Sequence, residues 1–162
     1  MRKIVTFLWL EGHAEEAVNL YVSLFEDAKI VNTSYVTESV AEMAGVKAGT
    51  VSTVDFELHG QNFTVLNGGP YYKRTEATSI LVACKDQAEI DKYWDTLSKD
   101  GKILSCGWLT DKYGVTWQIV PESMDVMMRD PDPAKANRVS EAMLKMEGKL
   151  NLNELEKAYK GE

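Results

Sequence analysis

Apolar and polar positions along this chain follow one order, and they follow it twice. Residues 3–10 (Lys-Ile-Val-Thr-Phe-Leu-Trp-Leu) are a run rich in β-formers, which predicts a strand. Gly12-His13 interrupts the run. Ala14, Ala17, Val18, Tyr21, Leu24 and Phe25 then recur at helical spacing and give one apolar face. Glu15 and Glu16 fall in the first turn, where the helix dipole favours negative charge. A second strand is predicted from Lys29 to Val36. Residues 38–49, which include Glu42, Gly45, Lys47 and Gly49, read as a loop with one helical turn. Thr50–Leu58 and Asn62–Asn67 flank His59-Gly60-Gln61 and predict a hairpin.

The order then recurs. Thr78–Cys84 is an apolar strand, and Asp86 with Glu89 three residues on is a capping-box pattern. Ile90, Trp94 and Leu97 form an apolar stripe that stops at Gly101. A short strand from Lys102 to Ser105 leads into a hairpin over 106–120, turning at Asp111-Lys112-Tyr113-Gly114 and closing on Pro121. The halves also match locally. Phe63 and Trp117 are each third after a glycine, and Thr64 and Gln118 are each fourth. The expected fold is α+β: two βαβββ modules, 1–70 and 78–121, forming one domain over 1–121. Each sheet is covered only by pairing with another half.

Residues 122–162 are patterned differently. Glu122–Arg129 predicts a short helix carrying Met124, Val126, Met127 and Met128. Asp132-Pro133 is an N-cap followed by a first-turn proline, and Val139, Met143 and Met146 share a face. Asn151 with Glu154 starts a last helix bearing Leu152, Leu155 and Tyr159. This helical C-terminal tail has methionine-rich faces that need a docking surface, either on their own domain or on a partner subunit.

Composition narrows the function classes. The chain has 162 residues, 44% of them hydrophobic, enough for one soluble domain without staples. The net charge of -7 opposes binding to phosphate backbones or anionic lipid, and no basic run offsets it. No nucleic-acid or membrane partner is therefore expected. No apolar stretch is long enough to span a bilayer. The residues before the first strand are too few for a signal peptide. Cys84 and Cys106 make no disulfide framework, and all of this fits a cytoplasmic protein.

Several stretches carry a family resemblance: residues 7–17 (Phe-Leu-Trp-Leu-Glu-Gly-His-Ala-Glu-Glu-Ala), Tyr21–Phe25, Phe56–Gly60, Leu66–Pro70, Tyr93–Leu97, Cys106–Leu109 with Asp111-Lys112, and Gly114–Pro121. Asp130–Pro133 and Ala142–Met146 continue it into the tail. In these stretches the chain resembles the vicinal oxygen chelate superfamily of glyoxalases, bleomycin-resistance proteins and dioxygenases. The nearest branch is the PhnB-like one, also called demethylubiquinone methyltransferase-like. The resemblance implies paired βαβββ modules curling around a pocket, in a homodimer. Superfamily members that use a metal hold it with His, Glu or Gln from four strands. It places two of these positions at Thr64 and Gln118, and the others at Thr6 or Phe7 and at Ser79 or Ile80. Phe and Ile cannot ligate, and the remaining choices are weak neutral donors for a divalent ion. His13, at a helix start, and His59, in a turn, have no ligand-type spacing. No metal and no cofactor are expected.

Other chemistries find partial support. Gly68-Gly69-Pro70 ends a strand without opening a helix, unlike the glycine-rich turn of an S-adenosylmethionine site in a doubly wound sheet. It reads as a rim loop or as a plain reversal between modules. Glu57, with Asp55 on the same strand, is a candidate base if it faces inward, and Cys106 is a candidate thiol without a neighbouring histidine. Cys84, in an apolar strand, reads as inert. Asp111 is expected to serve the turn before Gly114. Trp117 is expected on the helix-covered face, because alternation sets it opposite Gln118. The binding set is Gln118, Thr116, Thr64, Asn67 and Trp108, neutral hydrogen-bonders beside an aromatic, suited to a small organic molecule. The expected function is metal-independent binding of such a molecule. The alternatives are a metal-independent lyase, isomerase or transferase, methyl transfer included, and a module whose product is the dimer itself.

Overall fold

Thr6–Glu11 forms β1 of a computed structural model that describes residues 4–162. The expected start at Lys3 lies outside the described residues. The chain divides into two compact units, Met1–Arg74 and Thr75–Glu162.

In the first unit, β1 is followed by α1 (Ala14–Leu24), β2 (Lys29–Tyr35), α2 (Glu38–Ala44), β3 (Val51–Leu58) and β4 (Gln61–Gly68). The sheet order is β1-β4-β3-β2, with β1 parallel to β4 and the other pairs antiparallel. Helix α1 lies on β3 and β4 and buries Ala14, Ala17, Val18, Tyr21 and Leu24, the face that its periodicity marks. Against it the sheet sets Leu10, Val54, Phe56, Leu58, Phe63 and Val65, all buried. The Phe56 and Phe63 rings stack at 5.1 Å. Burying each such side chain stabilises the unit by about 2 kcal/mol.

One reading needs correction here. Residues 38–49 hold a two-turn helix rather than a loop with one turn. Thr37 Oγ1 accepts the Val40 N–H at 3.4 Å, and Gly45 ends the helix in a left-handed conformation. The helix buries no residue, so no apolar stripe announced it.

The second unit repeats the topology. β5 (Ile80–Cys84), α3 (Gln87–Leu97), β6 (Lys102–Ile103), β7 (Trp108–Thr110) and β8 (Thr116–Pro121) give the order β5-β8-β7-β6, again with the first and last strands parallel. Asp86 accepts the Glu89 N–H at 2.9 Å, and the Glu89 carboxylate accepts the Lys85 N–H at 2.8 Å, so the capping pattern forms. Ile90, Tyr93, Trp94 and Leu97 are the buried face of α3. β6 is shorter than expected, because Cys106 and Gly107 both take positive φ and turn the chain early.

The tail forms α4 (Ser123–Met128), α5 (Pro133–Leu144) and α6 (Leu152–Lys160) within this same compact unit. The expected boundary at 121 therefore separates no two bodies. Asp132 and Asn151 cap α5 and α6 as their sequence positions indicate. Met127, Val139, Met146, Leu150 and Leu155 make the tail's own core, with Val120 of β8 packed against it. The Arg138 guanidinium donates to the carbonyls of Ala158, which also takes the Gly161 N–H, and Tyr159 at the end of α6. The methionine-rich faces thus meet one another and β8 of their own unit.

Candidate functional site

Strand register sorts the candidate residues by face. In the first unit, Phe7, Thr64 and Asp55 lie side by side across β1, β4 and β3. In the second, Leu81, Gln118 and Trp108 occupy the corresponding level of β5, β8 and β7. Their sequence neighbours, Thr6-Phe63-Phe56 and Ile80-Trp117-Leu109, point to the helix-covered side, since successive strand residues alternate. Each sheet therefore has a helix-covered face and an opposite face, and Thr64, Gln118 and Trp108 are on the latter.

Three of the predicted binding residues share the second unit's other face, where Gln118 and Trp108 are half-buried and Thr116 is buried. Gln118 donates through Nε2 to Ser79 Oγ at 2.8 Å. Thr116 and Thr110 face each other across the hairpin, with hydroxyls 3.3 Å apart. Trp108 is half-buried, level with Gln118. Leu81, on the other flank of Gln118, is 56% exposed. The combination is a neutral amide between an indole and an aliphatic side chain. Trp117, on the other side, is fully buried, as alternation predicts.

That tryptophan has a partner that periodicity did not indicate. Asp111 is buried; its Oδ1 accepts the Tyr113 and Val115 N–H groups, and its Oδ2 accepts Trp117 Nε1–H at 2.9 Å. One carboxylate thus folds the turn and ties it to the core beneath Gln118. The turn role follows from sequence; the indole bond depends on the hairpin bringing residues six apart together.

In the first unit, Thr64 donates to Asp55 Oδ1 at 2.6 Å, and Phe7 beside it is 59% exposed. Asn67 belongs to the other face. Its Oδ1 accepts the Ala14 N–H at 2.8 Å, and its Nδ2 donates to the Val51 carbonyl at 2.9 Å. His13, at the cap position of α1, makes no side-chain cap bond, so Asn67 supplies the acceptor that the helix start needs. Its place in the binding set is corrected accordingly: both ends of its amide hold backbone.

The catalytic candidates separate likewise. Glu57 and Asp55 do lie on the uncovered side, but Glu57 sits two residues toward the hairpin and faces Lys29 Nζ at 3.6 Å. Cys106 is half-buried in the turn before β7, and its backbone N–H donates to the Met146 carbonyl. Burial, followed by the nearby Glu89 and Asp86 charges, pushes the Cys84 thiol up to about 12, which makes it inert. Both histidines belong to the first unit: His13 meets Glu16 at 3.2 Å, and His59 turns the β3–β4 hairpin.

The metal positions can be tested on the same register. Level with Thr64 stands Phe7, and level with Gln118 stands Leu81, while Ser79 of the expected pair is the residue that Gln118 bonds. Neither Phe7 nor Leu81 can donate to a metal. Ser79 and Thr64 are hydroxyls already joined to Gln118 and Asp55. Taken within each unit, these side chains are weak or non-ligating toward a divalent ion, and no group of three His, Cys, Asp or Glu side chains converges among the described residues.

The glycine pair also acquires a definite role. Trp9 lies across Gly68, where an added Cβ would come within 2.0 Å of its ring, and its Nε1–H donates to the Gly69 carbonyl at 2.8 Å. Tyr72 meets the same indole edge-on at 4.9 Å. Gly68-Gly69 is thus a seat for an indole. A groove of about 520 Å³ between α5 and α6, rimmed by Lys145, Lys157, Glu141 and Glu154, contains none of the candidate residues.

Comparison with known proteins supplies the family. The sequence model of the 3-demethylubiquinone-9 3-methyltransferase family matches residues 2–120. The chain belongs to this family. Within the vicinal oxygen chelate superfamily the 3-demethylubiquinone-9 3-methyltransferase family is its PhnB-like branch. The PhnB protein of Bacillus cereus is 39% identical, with 74% of this chain and 99% of that one covered and a TM-score of 0.66. A Pseudomonas aeruginosa protein of 17% identity (TM-score 0.62, covering 75% of this chain and 98% of that one) shares the fold. So does the Listeria monocytogenes fosfomycin resistance protein FosX, at 10% identity and TM-score 0.54, covering 79% and 97%. No curated protein matched. The family match ends at residue 120, so α4, α5 and α6 lie beyond it.

Proposed function

We propose that this chain is a metal-independent small-molecule binding member of its family, working as a homodimer in the cytoplasm. The ligand contacts are assigned to the second unit, with Gln118 and Trp108 beside the buried Thr116; Thr64 lies on the matching face of the first unit's own sheet. The observation that carries this reading is the level Leu81-Gln118-Trp108: a neutral amide flanked by aliphatic and aromatic surface. An amide can both donate and accept, and an indole face adds apolar contact, so an uncharged or weakly polar organic molecule suits it. No described helix is long and apolar enough to cross a membrane.

Native mass spectrometry of untagged protein, purified without chelator, tests this directly. A dimer carrying an organic adduct is expected, and Gln118→Ala should weaken its retention by roughly tenfold, the effect of one good hydrogen bond. Unchanged retention sinks the assignment. A stoichiometric divalent metal would overturn the metal-independent part.

A second reading is metal-independent catalysis, methyl transfer included. The Asp55–Thr64 pair favours it, since a carboxylate holding a hydroxyl at 2.6 Å on an uncovered face is a plausible proton acceptor. Turnover of a demethylated quinone with S-adenosylmethionine, abolished by Asp55→Asn, would establish it. Turnover that survives Asp55→Asn, Glu57→Gln and Cys106→Ala removes every candidate base or nucleophile named above.

A further inference from the structure

Between α5 and α6 the chain runs through Met146–Leu150 as a strap against the corner that precedes β7. The Cys106 N–H donates to the Met146 carbonyl at 3.0 Å, and the Gly107 N–H to the Gly148 carbonyl at 2.8 Å. On its other side the corner accepts the Ile119 N–H at the Gly107 carbonyl, 2.8 Å. Gly107 has φ +81, and a Cβ there would lie 2.8 Å from the Ile119 carbonyl and 3.0 Å from Leu150. The corner is thus held between β8 and the strap, and the next residue is Trp108.

The strap is anchored to α3. Gln87 donates to the Leu150 carbonyl at 3.2 Å and accepts the Leu152 N–H at 2.8 Å. Lys149 Nζ lies 3.1 Å from Asp91 Oδ1 and 2.8 Å from Asp95 Oδ1. Asp91 and Asp95 are four apart on the helix, so without the ammonium their like charges would oppose each other. Bonds from the Gln87 amide and Lys149 hold the Asp91 carboxyl below its usual range. Gly148, at φ +96, brings the strap down against Ile103 and Trp94.

We propose that Lys149 is a positioning residue for the candidate ligand face: its ammonium pins the strap to α3, and the strap fixes the corner that sets Trp108 beside Gln118. The functional meaning rests on the binding role proposed for that face; the mechanical coupling does not. All of the strap lies beyond residue 120, where the family match ends, so the coupling joins the chain's tail to α3 and the β7 corner of its βαβββ frame.

The test uses full-length protein with 5-fluorotryptophan, assigned by single Trp→Phe variants, together with amide exchange. In Lys149→Gln, exchange at Cys106 and Gly107 should rise about fivefold, the worth of two partly exposed ion pairs. The Trp108 fluorine resonance should shift or broaden while that of Trp117, held by Asp111, stays in place. Lys149→Arg should restore both. As a control, Arg138→Gln loosens α6 without touching the strap and should leave Trp108 unmoved. If Lys149→Gln folds poorly, raising salt on the wild type should move Trp108 in the same direction, because these exposed pairs are screened. A Trp108 resonance indifferent to Lys149→Gln, or one that moves equally in Arg138→Gln, overturns the proposal. Because no ligand enters the measurement, failure of the binding reading leaves this result unaffected, and the reverse holds.

Discussion

The two βαβββ units share a backbone and differ in what they place on it. At the level after the hairpin glycine, one sheet presents Phe7-Thr64-Asp55 and the other Leu81-Gln118-Trp108. The covered sides are alike in kind, since both must bury apolar surface under a helix. The uncovered sides are free of that demand, and there the first unit keeps a carboxylate with a hydroxyl while the second keeps an amide with an indole. Topology fixes which positions are available for chemistry, and it does not fix the chemistry.

The units also differ in how each is locked. The second depends on one buried carboxylate, the first on the close approach of an indole to glycine. Asp111→Ala should therefore have the largest effect. It leaves Trp117 Nε1–H and two backbone N–H groups without their acceptor, a loss of about 3 kcal/mol or more in urea unfolding. The carboxylate on the first sheet, Asp55, is only half-buried, and Asp55→Ala should cost under about 1 kcal/mol. Equal losses would mean that the sheets are locked in the same way. Gly68→Ala comes next, at about 2 kcal/mol, because the methyl must displace the Trp9 ring and its bond to Gly69. Trp9→Ala in the same background should recover part of that loss, which a double-mutant cycle would read.

A smaller contrast is chemical. Cys84 is buried with its thiol pushed up to about 12, whereas Cys106 is half-buried in a turn. At pH 8, iodoacetamide should label Cys106 and leave Cys84 untouched until the second unit opens; mass spectrometry of digests would decide. Because the raised pKa keeps Cys84 neutral, this group's contribution is complete below the ordinary thiol pKa of about 8.5 and is lost as pH rises through the folded value.

The smallest expected effect concerns the tail. Tyr159 donates to Asp130, and that bond, followed by the Asp132 N–H and Lys135, holds the Asp130 carboxyl below its usual range. The same bond raises the Tyr159 hydroxyl. The carboxylate's contribution is present above about pH 4 and lost as pH falls through its lowered value. The phenol's is present below about pH 10 and lost as pH rises. Protection factors in α6, corrected for intrinsic exchange, should accordingly be highest between those limits, and Tyr159→Phe should flatten the profile at both ends.

Much of this was legible in the sequence because it rests on periodicity. The repeat, the capped helices, the covered face of Trp117 and the turn role of Asp111 all follow from spacing. What was not legible depends on contacts between residues distant in sequence. Asn67 joins the binding set as a neutral hydrogen-bonder, yet α1 begins within reach of it, 53 residues away, and takes its side chain as a cap. Gly68-Gly69 gave no sign of the indole that it seats, and α2 buries nothing that a stripe could reveal. The bond from Gln118 to Ser79 likewise depends on the parallel pairing of β5 with β8, which no local pattern reveals.

The edge strand β2 has a consequence for handling the protein. It ends its sheet and leaves Ile30, Val31 and Tyr35 exposed. Such an edge is a ready template for another chain, and mutual repulsion is one of the forces that keep copies apart. That repulsion comes from a net charge of -7 and vanishes near the sequence pI of about 4.9. Mild acid, near that pI, is therefore the condition under which the protein should first come out of solution.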